Sequence, residues 1–431
     1  MLLNLKRSKQ LRMVAMVSQT DVLVIGGGVI GLACAHYLNE SGIQVTIVDK
    51  GEVGSGSSHG NCGLLYFSDI YPLCVPGAVS SEIKRTLAGT SPMHIKPTLN
   101  VKRLLWLLKF AVNCRQELAD KAAVGKQELL QYSMDLFERD VWPLEEIQCD
   151  LDDSGVLMAF KDKANFMAYR EEAESVARAG YRYRQIFPGE LRRFEPALSE
   201  DLAGGWHSRH DHHLRPDLLM SSWKKLLQDR GVEMVEDCTV TGMDSRSRRI
   251  TTVETDQGSI TADQVVLAAG AWSPQLMNYL PFRCAMEPGK GYSITMDRPD
   301  ICPTHPCYLY EKNVVATPWK SGYRLGGTME FSGYSTRMNR KRLEKLATGA
   351  AEYLKEPQGV RVEEWTSLRP MTNDDMPIIG KAPNFTNLTI ATGHGMLGLT
   401  LASGTGKIVC DLVMEKKPEI EIRPFRVERF S

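Results

Sequence analysis

Long apolar runs are missing from this chain: no stretch reaches the 18 or more residues that a membrane-spanning helix needs, and Lys109 interrupts the nearest candidate. An excess of either charge is missing too, with Lys+Arg and Asp+Glu equal at 52 each. No global field would gather phosphate polymers, so the balance argues against nucleic acid as a partner. The ten cysteines include no CxxC pair, which removes a zinc ribbon or disulfide framework and points to a reducing, cytoplasmic setting. Repeats and low-complexity linkers are absent, so two interleaved domains fit better than two beads on a string. A P-loop is absent as well. The nearest candidate, "GTGK" at Gly404–Lys407, has no glycine five residues before Gly406 and has Ile408 where a magnesium-holding hydroxyl belongs.

With 431 residues, 43% of them hydrophobic, the chain can bury a full core and reads as soluble and globular. Residues 1–18 carry Lys6, Arg7, Lys9 and Arg12, no acid, and two further methionines at 13 and 16, and read as an extraneous tail or a targeting segment.

The clearest signal is "VLVIGGGVIGLACAHYL", residues 22–38, where an apolar run meets three glycines and then a helical pattern. Gly26, Gly28 and Gly31 occupy the G-x-G-x-x-G positions: the first for a tight turn, the second so that a pyrophosphate can approach the backbone, the third for close helix–strand packing. The helix beginning at Val29 and Ile30 would face phosphates with unpaired N–H groups. A second strand, "IQVTIVDK", ends at Asp49, 18 residues beyond Gly31, where a carboxylate can accept ribose hydroxyls, with Lys50 beside it. This is a dinucleotide site. Directly after it, "GEVGSGSSHGNCG" (51–63) supplies Ser57, Ser58, Gly60, Asn61 and Gly63, hydroxyls and bare backbone suited to a pyrophosphate or ribityl chain and a flat ring. A simple nicotinamide fold needs no such segment, so FAD is favoured over NAD.

Further along, "RITTVETDQGSITADQVVLAAGAWS" reads as strands ending in Gly270, while 101–142, 163–180, 216–230 and 339–355 read as helices. Short strands recur from 282 to 328 and suggest an antiparallel sheet. Near the C-terminus "LRPMTNDDMPIIG" precedes a strand and then "TGHGMLGLT", with Gly393, His394, Gly395, Met396, Leu397 and Gly398 in the turn. The following helix is expected to aim its N-terminus at the negative charge that collects on a reduced flavin.

Taken in order from about Asp21 to Val413, "GGGVIG" with Asp49, "GSGSSHGNCG", "VVLAAGAWS", "KGYSITM", "YRLGGT", "LRPMTNDDMPIIG" and "TGHGMLGLT" resemble the FAD-dependent D-amino acid dehydrogenases, within the wider group of glycine, sarcosine and D-amino acid oxidases. The resemblance implies an α/β fold: a Rossmann-like FAD domain (19–85, 206–281 and 362–418) interleaved with an α+β substrate domain (86–205 and 282–361) whose antiparallel sheet roofs the flavin, and a tail at 419–431. It implies that Arg369 of "LRP" binds the substrate carboxylate, a role suited to a bidentate guanidinium. Tyr66, Tyr292, Tyr308 and Tyr310 are expected to close the pocket or bond the substrate carboxylate, Tyr292 and Tyr310 foremost, and no metal is expected.

Three departures from relatives refine this. Met396 stands where glycine oxidases carry a second arginine, which makes the pocket more apolar and able to take a side chain. Arg324 replaces the lysine that sarcosine oxidases hold near the oxygen-facing flavin edge, which argues for a dehydrogenase. His59 is one residue out of register with the histidine that anchors flavin covalently in some relatives, so FAD is expected to be non-covalent.

The implied reaction is oxidative deamination of a D-amino acid. The Cα hydrogen, held about 3–3.5 Å from flavin N5, leaves as hydride, and the imine hydrolyses to a 2-oxo acid and ammonia. Electrons pass to a quinone or another non-oxygen acceptor. Secondary amines and imino acids (hydroxyproline, proline, sarcosine, glycine) form an alternative substrate class, and a flavin-binding subunit without turnover a third reading. Two other features stand out. "WHSRHDHHLRP" clusters His207, His210, His212 and His213, which read as a solvated loop, with a pocket contact by at least one of them or a metal site as the alternatives. "KRLLWLLKFAVNCR" (102–115) has an apolar face with Lys102, Arg103, Lys109 and Arg115; it reads as a helix buried against the substrate domain or as a peripheral membrane contact. The oligomeric state is not legible.

Overall fold

The computed structural model describes residues 19–87, 91, 93–96 and 99–430. The tail or targeting segment expected at 1–18 lies outside them.

The β-branched run at Gln19–Ile25 forms the middle of a sheet whose parallel core runs, in order, Glu233–Val235, Val45–Val48, Gln19–Ile25, Gly258–Leu267 and Leu388–Thr392. Ile378–Lys381 adds an antiparallel edge, and the hairpin Val240–Arg246 with Arg249–Thr255 extends the sheet beyond Gly258–Leu267. These parallel strands are buried on both faces, which is why they read as near-continuous apolar runs. Helices Val29–Glu40 and Ala402–Val413 pack together on one face, and Gln116–Leu136 packs on Ala402–Val413.

A second sheet, nine-stranded among the described residues, is antiparallel except where Val156–Phe160 meets Cys307–Leu309 and Met93–Ile95 meets Gly322–Phe331. Its centre is Met286–Met296, paired with Gly322–Phe331 on one side and Arg361–Thr372 on the other. Two expected boundaries therefore move. Arg361–Thr372 belongs to this second sheet through eleven residue pairs with Met286–Met296, not to the dinucleotide part from 362. The boundary at 206 falls inside Gly204–Ser208, which is bonded on both sides to strands of the second sheet. In both places the backbone ladder, invisible in composition, decides where the strand belongs. The helix expected over 101–142 divides into Val101–Asn113 and Gln116–Leu136, with Cys114 and Arg115 between them.

The dinucleotide turn is closed by steric necessity. Gly26 has φ +110°, and a Cβ there would lie 2.5 Å from the Ala268 carbonyl oxygen. At Gly31 a Cβ would lie 1.9 Å from the Gly26 carbonyl oxygen, so only glycine lets the helix sit this close to the strand. Gly31→Ala is expected to destabilise the protein by about 1–3 kcal/mol or more through overpacking against backbone that has nowhere to go; a lower thermal midpoint is the check, and an unchanged one would contradict the packing described.

Candidate active site

Between the two sheets lies one cavity of about 1640 Å³, and both glycine turns and the second sheet reach it. Its dinucleotide end is lined by Gly26, Gly28, Val29, Ile30, Asp49 and Lys50. Gly28 precedes the helix Val29–Glu40 and supplies no side-chain cap. The Val29 N–H donates instead to the Ser58 hydroxyl at 3.0 Å, leaving the helix start lined by bare backbone. Asp49 accepts from the Gly27 N–H at 2.7 Å and from the Gly51 N–H at 3.0 Å. Each oxygen keeps a lone pair for a ribose hydroxyl. Burial raises this carboxyl above its ordinary range while the two N–H bonds oppose the rise. The Lys50 ammonium rests 3.3 Å from the centre of the Trp272 ring, which fixes it beside the acid.

The second segment, 57–63, is pinned to the sheet opposite. Ser57 donates to the Leu368 carbonyl at 2.6 Å, and a Cβ on Gly60 would run into the Trp365 ring at 2.0 Å. Ser57, Ser58, Gly60 and Asn61 line the cavity, as do Gly270, His394, Gly395, Met396, Leu397 and Gly398. Gly31, Gly63 and Gly393 do not, and act through the backbone. Gly63 at φ +83° abuts the Leu214 carbonyl, and Gly393 at φ +77° abuts Thr372. The cradle of close backbone, an acid at a strand end and a helix N-terminus fits a dinucleotide, and its continuation past Trp365 leaves room for a flat ring system.

Several expectations need correction. The helix Ala402–Val413 begins beyond the cavity-lining residues, and its Gly404 N–H donates to the Ser133 hydroxyl at 3.1 Å; the turn 394–398, not the helix end, faces the cavity. The His394 ring turns inward to Thr405 at 3.0 Å, and burial lowers its pKa to about 3, so it stays neutral. Arg324 is fully buried behind the 59–63 loop and does not line the cavity. It donates to the His59 and Asn61 carbonyls at 2.7 Å each and lies 3.5 Å from Asp217 and 3.7 Å from Glu363. None of His207, His210, His212 and His213 reaches the cavity: His207 meets the Ser154 carbonyl and His213 sits in a short strand pair against Leu64. Among the described residues no cluster of metal-ligating side chains is present.

At the substrate end Arg369 lies on the cavity wall. Its guanidinium donates to the Thr328 carbonyl at 2.8 Å and occupies a slot that exists only because residue 291 is glycine, where a Cβ would lie 2.5 Å from the guanidinium. No ion pair with Arg369 is present among the described residues; enclosure lowers its pKa, and its one electrostatic partner is the Cys62 thiol. Tyr292 and Tyr310 both line the cavity, yet the Tyr292 hydroxyl is committed to Glu330 at 2.7 Å and Tyr310 stacks on Phe160 at 4.4 Å. Sequence reasoning missed Gly291, Trp365, Asp69 and Glu172, all of which line the cavity. Partial enclosure against the cavity, and then the nearby Asp69, push the Glu172 carboxyl upward, although the residue keeps an exposed face. Glycine in a strand interior was the available signal for Gly291; the acids, on a loop and a helix distant in sequence, left none.

The DAO family of FAD dependent oxidoreductases matches residues 21–412. D-amino acid dehydrogenases of Neisseria gonorrhoeae and of Neisseria meningitidis serogroup A are each 31% identical over 423 residues, 95% of this chain and 99% of theirs. Among solved structures, glycine oxidase from Geobacillus kaustophilus superposes with a TM-score of 0.74 at 23% identity, covering 95% of this chain and 99% of its own. L-proline dehydrogenase from P. horikoshii does so with 0.72 at 18%, covering 96% and 99%. The chain belongs to the DAO family of FAD-dependent oxidoreductases and is an enzyme that uses FAD.

Removing Arg324 would leave the His59 and Asn61 carbonyls without their donor behind the loop, while Asp217 keeps Arg215 and Glu363 keeps His59. Arg324→Leu is expected to cost about 1–3 kcal/mol, seen as a lower denaturation midpoint; a midpoint within error of the parent would show that the brace is not stabilising.

Proposed function

We propose that this enzyme oxidises a D-amino acid at its α carbon to the imine, which water converts to a 2-oxo acid and ammonia, and that it passes the electrons to a quinone or similar non-oxygen acceptor. The observation that carries this reading is Arg369: a cation on a cavity wall with no acid paired to it, backed by a carbonyl, and fitted into a slot cleared by Gly291. A half-buried cation on the wall of a cavity, without a counter-ion, is partly desolvated, and a substrate carboxylate offsets that cost where a neutral ligand cannot. Bound FAD supplies the two-electron acceptor for the Cα hydrogen; the chain's residues bind, orient and exclude water. Met396 at the turn and the Tyr308 and Tyr310 rings give the amino acid's side chain an apolar, aromatic surround. The names of the relatives from Neisseria support the D-amino acid class. FAD is held without a covalent bond in this reading, since the His59 ring turns away to Glu363 at 2.9 Å.

The acceptor reading rests on a surface. On the helix Val101–Asn113, Trp106, Leu107 and Phe110 line the cavity, while Val101, Leu104, Leu105, Leu108 and Val112 are exposed. Exposed Lys102, Lys109 and Arg115 flank them, and 101–115 holds no acid. An aliphatic face beside a cavity, edged by cations alone, suits an anionic lipid surface from which a lipophilic acceptor enters. No described helix is long and apolar enough to cross a membrane, so this contact is peripheral.

Anaerobic bleaching of the flavin by a panel of D-amino acids and secondary amines tests the reaction. Bleaching by D-amino acids is expected, and bleaching by none would overturn it. Arg369→Ala is expected to lower kcat/KM on the order of 10²-fold or more with flavin content kept. For the surface, the parent enzyme is expected to sediment with vesicles containing anionic lipid and a Leu104→Ser, Leu105→Ser, Leu108→Ser triple variant is not; equal sedimentation of both would remove the lipid contact.

A further inference from the structure

One buried acid is used by nothing described so far. Asp211 is fully buried in the segment that follows Gly204–Ser208, and its carboxylate accepts from the Ser68 backbone N–H at 2.9 Å and from the Ser68 hydroxyl at 2.6 Å. The Ser68 hydroxyl lies 2.7 Å from the Tyr183 hydroxyl, and that hydroxyl lies 3.3 Å from the Tyr66 hydroxyl. Tyr66 lines the cavity between the 57–63 segment and the second sheet, with its hydroxyl also 3.6 Å from the Met158 sulfur. These four side chains come from three places in the chain and meet in one unbroken file of exchangeable protons, running from the cavity wall to a carboxylate sealed from solvent. The titratable groups that face Asp211 are Asp69, Tyr66, Tyr181 and Tyr183. All are acids, and no ion pair to Asp211 is present among the described residues.

We propose that Tyr66, Tyr183, Ser68 and Asp211 form a proton relay that takes one proton from the substrate's ammonium group. The inference rests on the amino acid reading above. An amino acid arrives at neutral pH as the ammonium form, whose nitrogen has no lone pair to form the C=N bond. In the relay one N–H bond of the substrate breaks as the Tyr66 oxygen takes the proton, Tyr66 passes its own proton to Tyr183, Tyr183 to Ser68, and Ser68 to the Asp211 carboxylate. One N–H bond is lost, one O–H bond is gained, and each hydroxyl ends neutral. No electrons leave or enter in this step. The freed lone pair is then available for oxidation at Cα, and the proton returns along the same file to water once product has left. Burial moves the two end groups toward each other: it raises Asp211 to about 6, and a substrate enclosed beside the Arg369 cation loses part of the amine's basicity by the same physics. The tyrosine hydroxyls, pushed well above their ordinary range, stay protonated and serve only as carriers.

The test is the pH profile of reduction by a D-amino acid that bleaches the parent. Tyr66→Phe and Asp211→Asn each break the file at one end while keeping shape. Both are expected to slow anaerobic flavin reduction on the order of tenfold at pH 7 and to converge on the parent rate above the amine's own pKa, where substrate arrives already deprotonated. The double variant is expected to be no slower than the slower single one. An equal loss at every pH, or additive losses, would assign these residues a structural role and overturn the relay while leaving the amino acid reading intact; failure of the parent to bleach removes that reading instead. A second readout needs no turnover. Because Asp211 is easier to protonate in the fold than in the unfolded chain, its contribution is best at low pH and worsens as pH rises through about 6. The thermal midpoint of the parent is expected to fall relative to Asp211→Asn between pH 4.5 and 7.5, and a constant difference would show that Asp211 does not titrate there.

Discussion

An uncompensated guanidinium is the constraint around which the substrate half of this molecule is arranged. Holding Arg369 on the wall of an enclosed cavity without a carboxylate is expensive, and the surroundings lower the expense without cancelling the charge. The Thr328 carbonyl takes one N–H, the Met329 sulfur lies 3.7 Å away, and the Cys62 thiol contributes polarisable bulk. Gly291 clears the space, and Gly289, two residues earlier on the same face, does the same against Met329 and Met371. An acid in place of Cys62 or Met329 would have paired the charge and closed the site. In the proposed reading the charge is retained for a substrate carboxylate.

The strand Arg361–Thr372 joins this cation to the cofactor cradle. Trp365 packs on Gly60, the Leu368 carbonyl accepts from Ser57, Arg369 faces the cavity, and the Pro370 carbonyl accepts from the Gly395 N–H at 3.1 Å. Four residues within the span 365–370 thus touch the 57–63 segment, the cavity and the C-terminal glycine turn. Errors in placing this strand would displace all three together, which is why it is gripped along its whole length by Met286–Met296 and why Arg324 braces the 59–63 loop from behind. Geometry supplies the catalysis in such a site, and a rigid strand is the element that delivers geometry.

Much of this was legible in the residues, and the parts that were not share a cause. The dinucleotide turn could be read because G-x-G-x-x-G, a following helix and Asp49 at the next strand end are local features with one steric solution. Arg369 and the 393–398 turn could be read from the family's motifs in order. The parallel strands showed as apolar runs. What stayed hidden depends on contacts between distant segments. The strand 361–372 carries no sign of which sheet it joins, and the role of Arg324 is set by loop carbonyls 263 and 265 residues away in sequence. The four histidines of "WHSRHDHHLRP" drew attention by their chemistry, while the fully buried acid of that stretch is the aspartate between them, whose bonds to Ser68 exist only in the fold. The tyrosines were ranked without knowledge of their hydroxyl partners: Glu330 occupies Tyr292, and the ring of Tyr310 belongs to an aromatic stack.

The exposed leucines of Val101–Asn113 are best understood through the opposite face of the same helix. Asn100 caps its start by accepting from the Lys102 and Arg103 N–H groups. Arg103 is buried in an ion pair with Glu287 at 2.6 Å, and the Trp106 indole donates to the Met371 carbonyl at 3.1 Å while its ring stacks on Phe110 at 5.5 Å. These anchors fix the helix about its axis. A poorly held amphipathic helix could turn its leucines inward, where each buried side chain is worth about 1.5–3 kcal/mol. Here rotation would break a buried ion pair and an indole hydrogen bond, so the aliphatic face is held outward by polar contacts on the other side. A charged arginine that the sequence grouped with the surface lysines is the residue that prevents burial of the leucines. The outward face is therefore a fixed feature of the fold, set at the edge of the cavity that the same helix helps to wall.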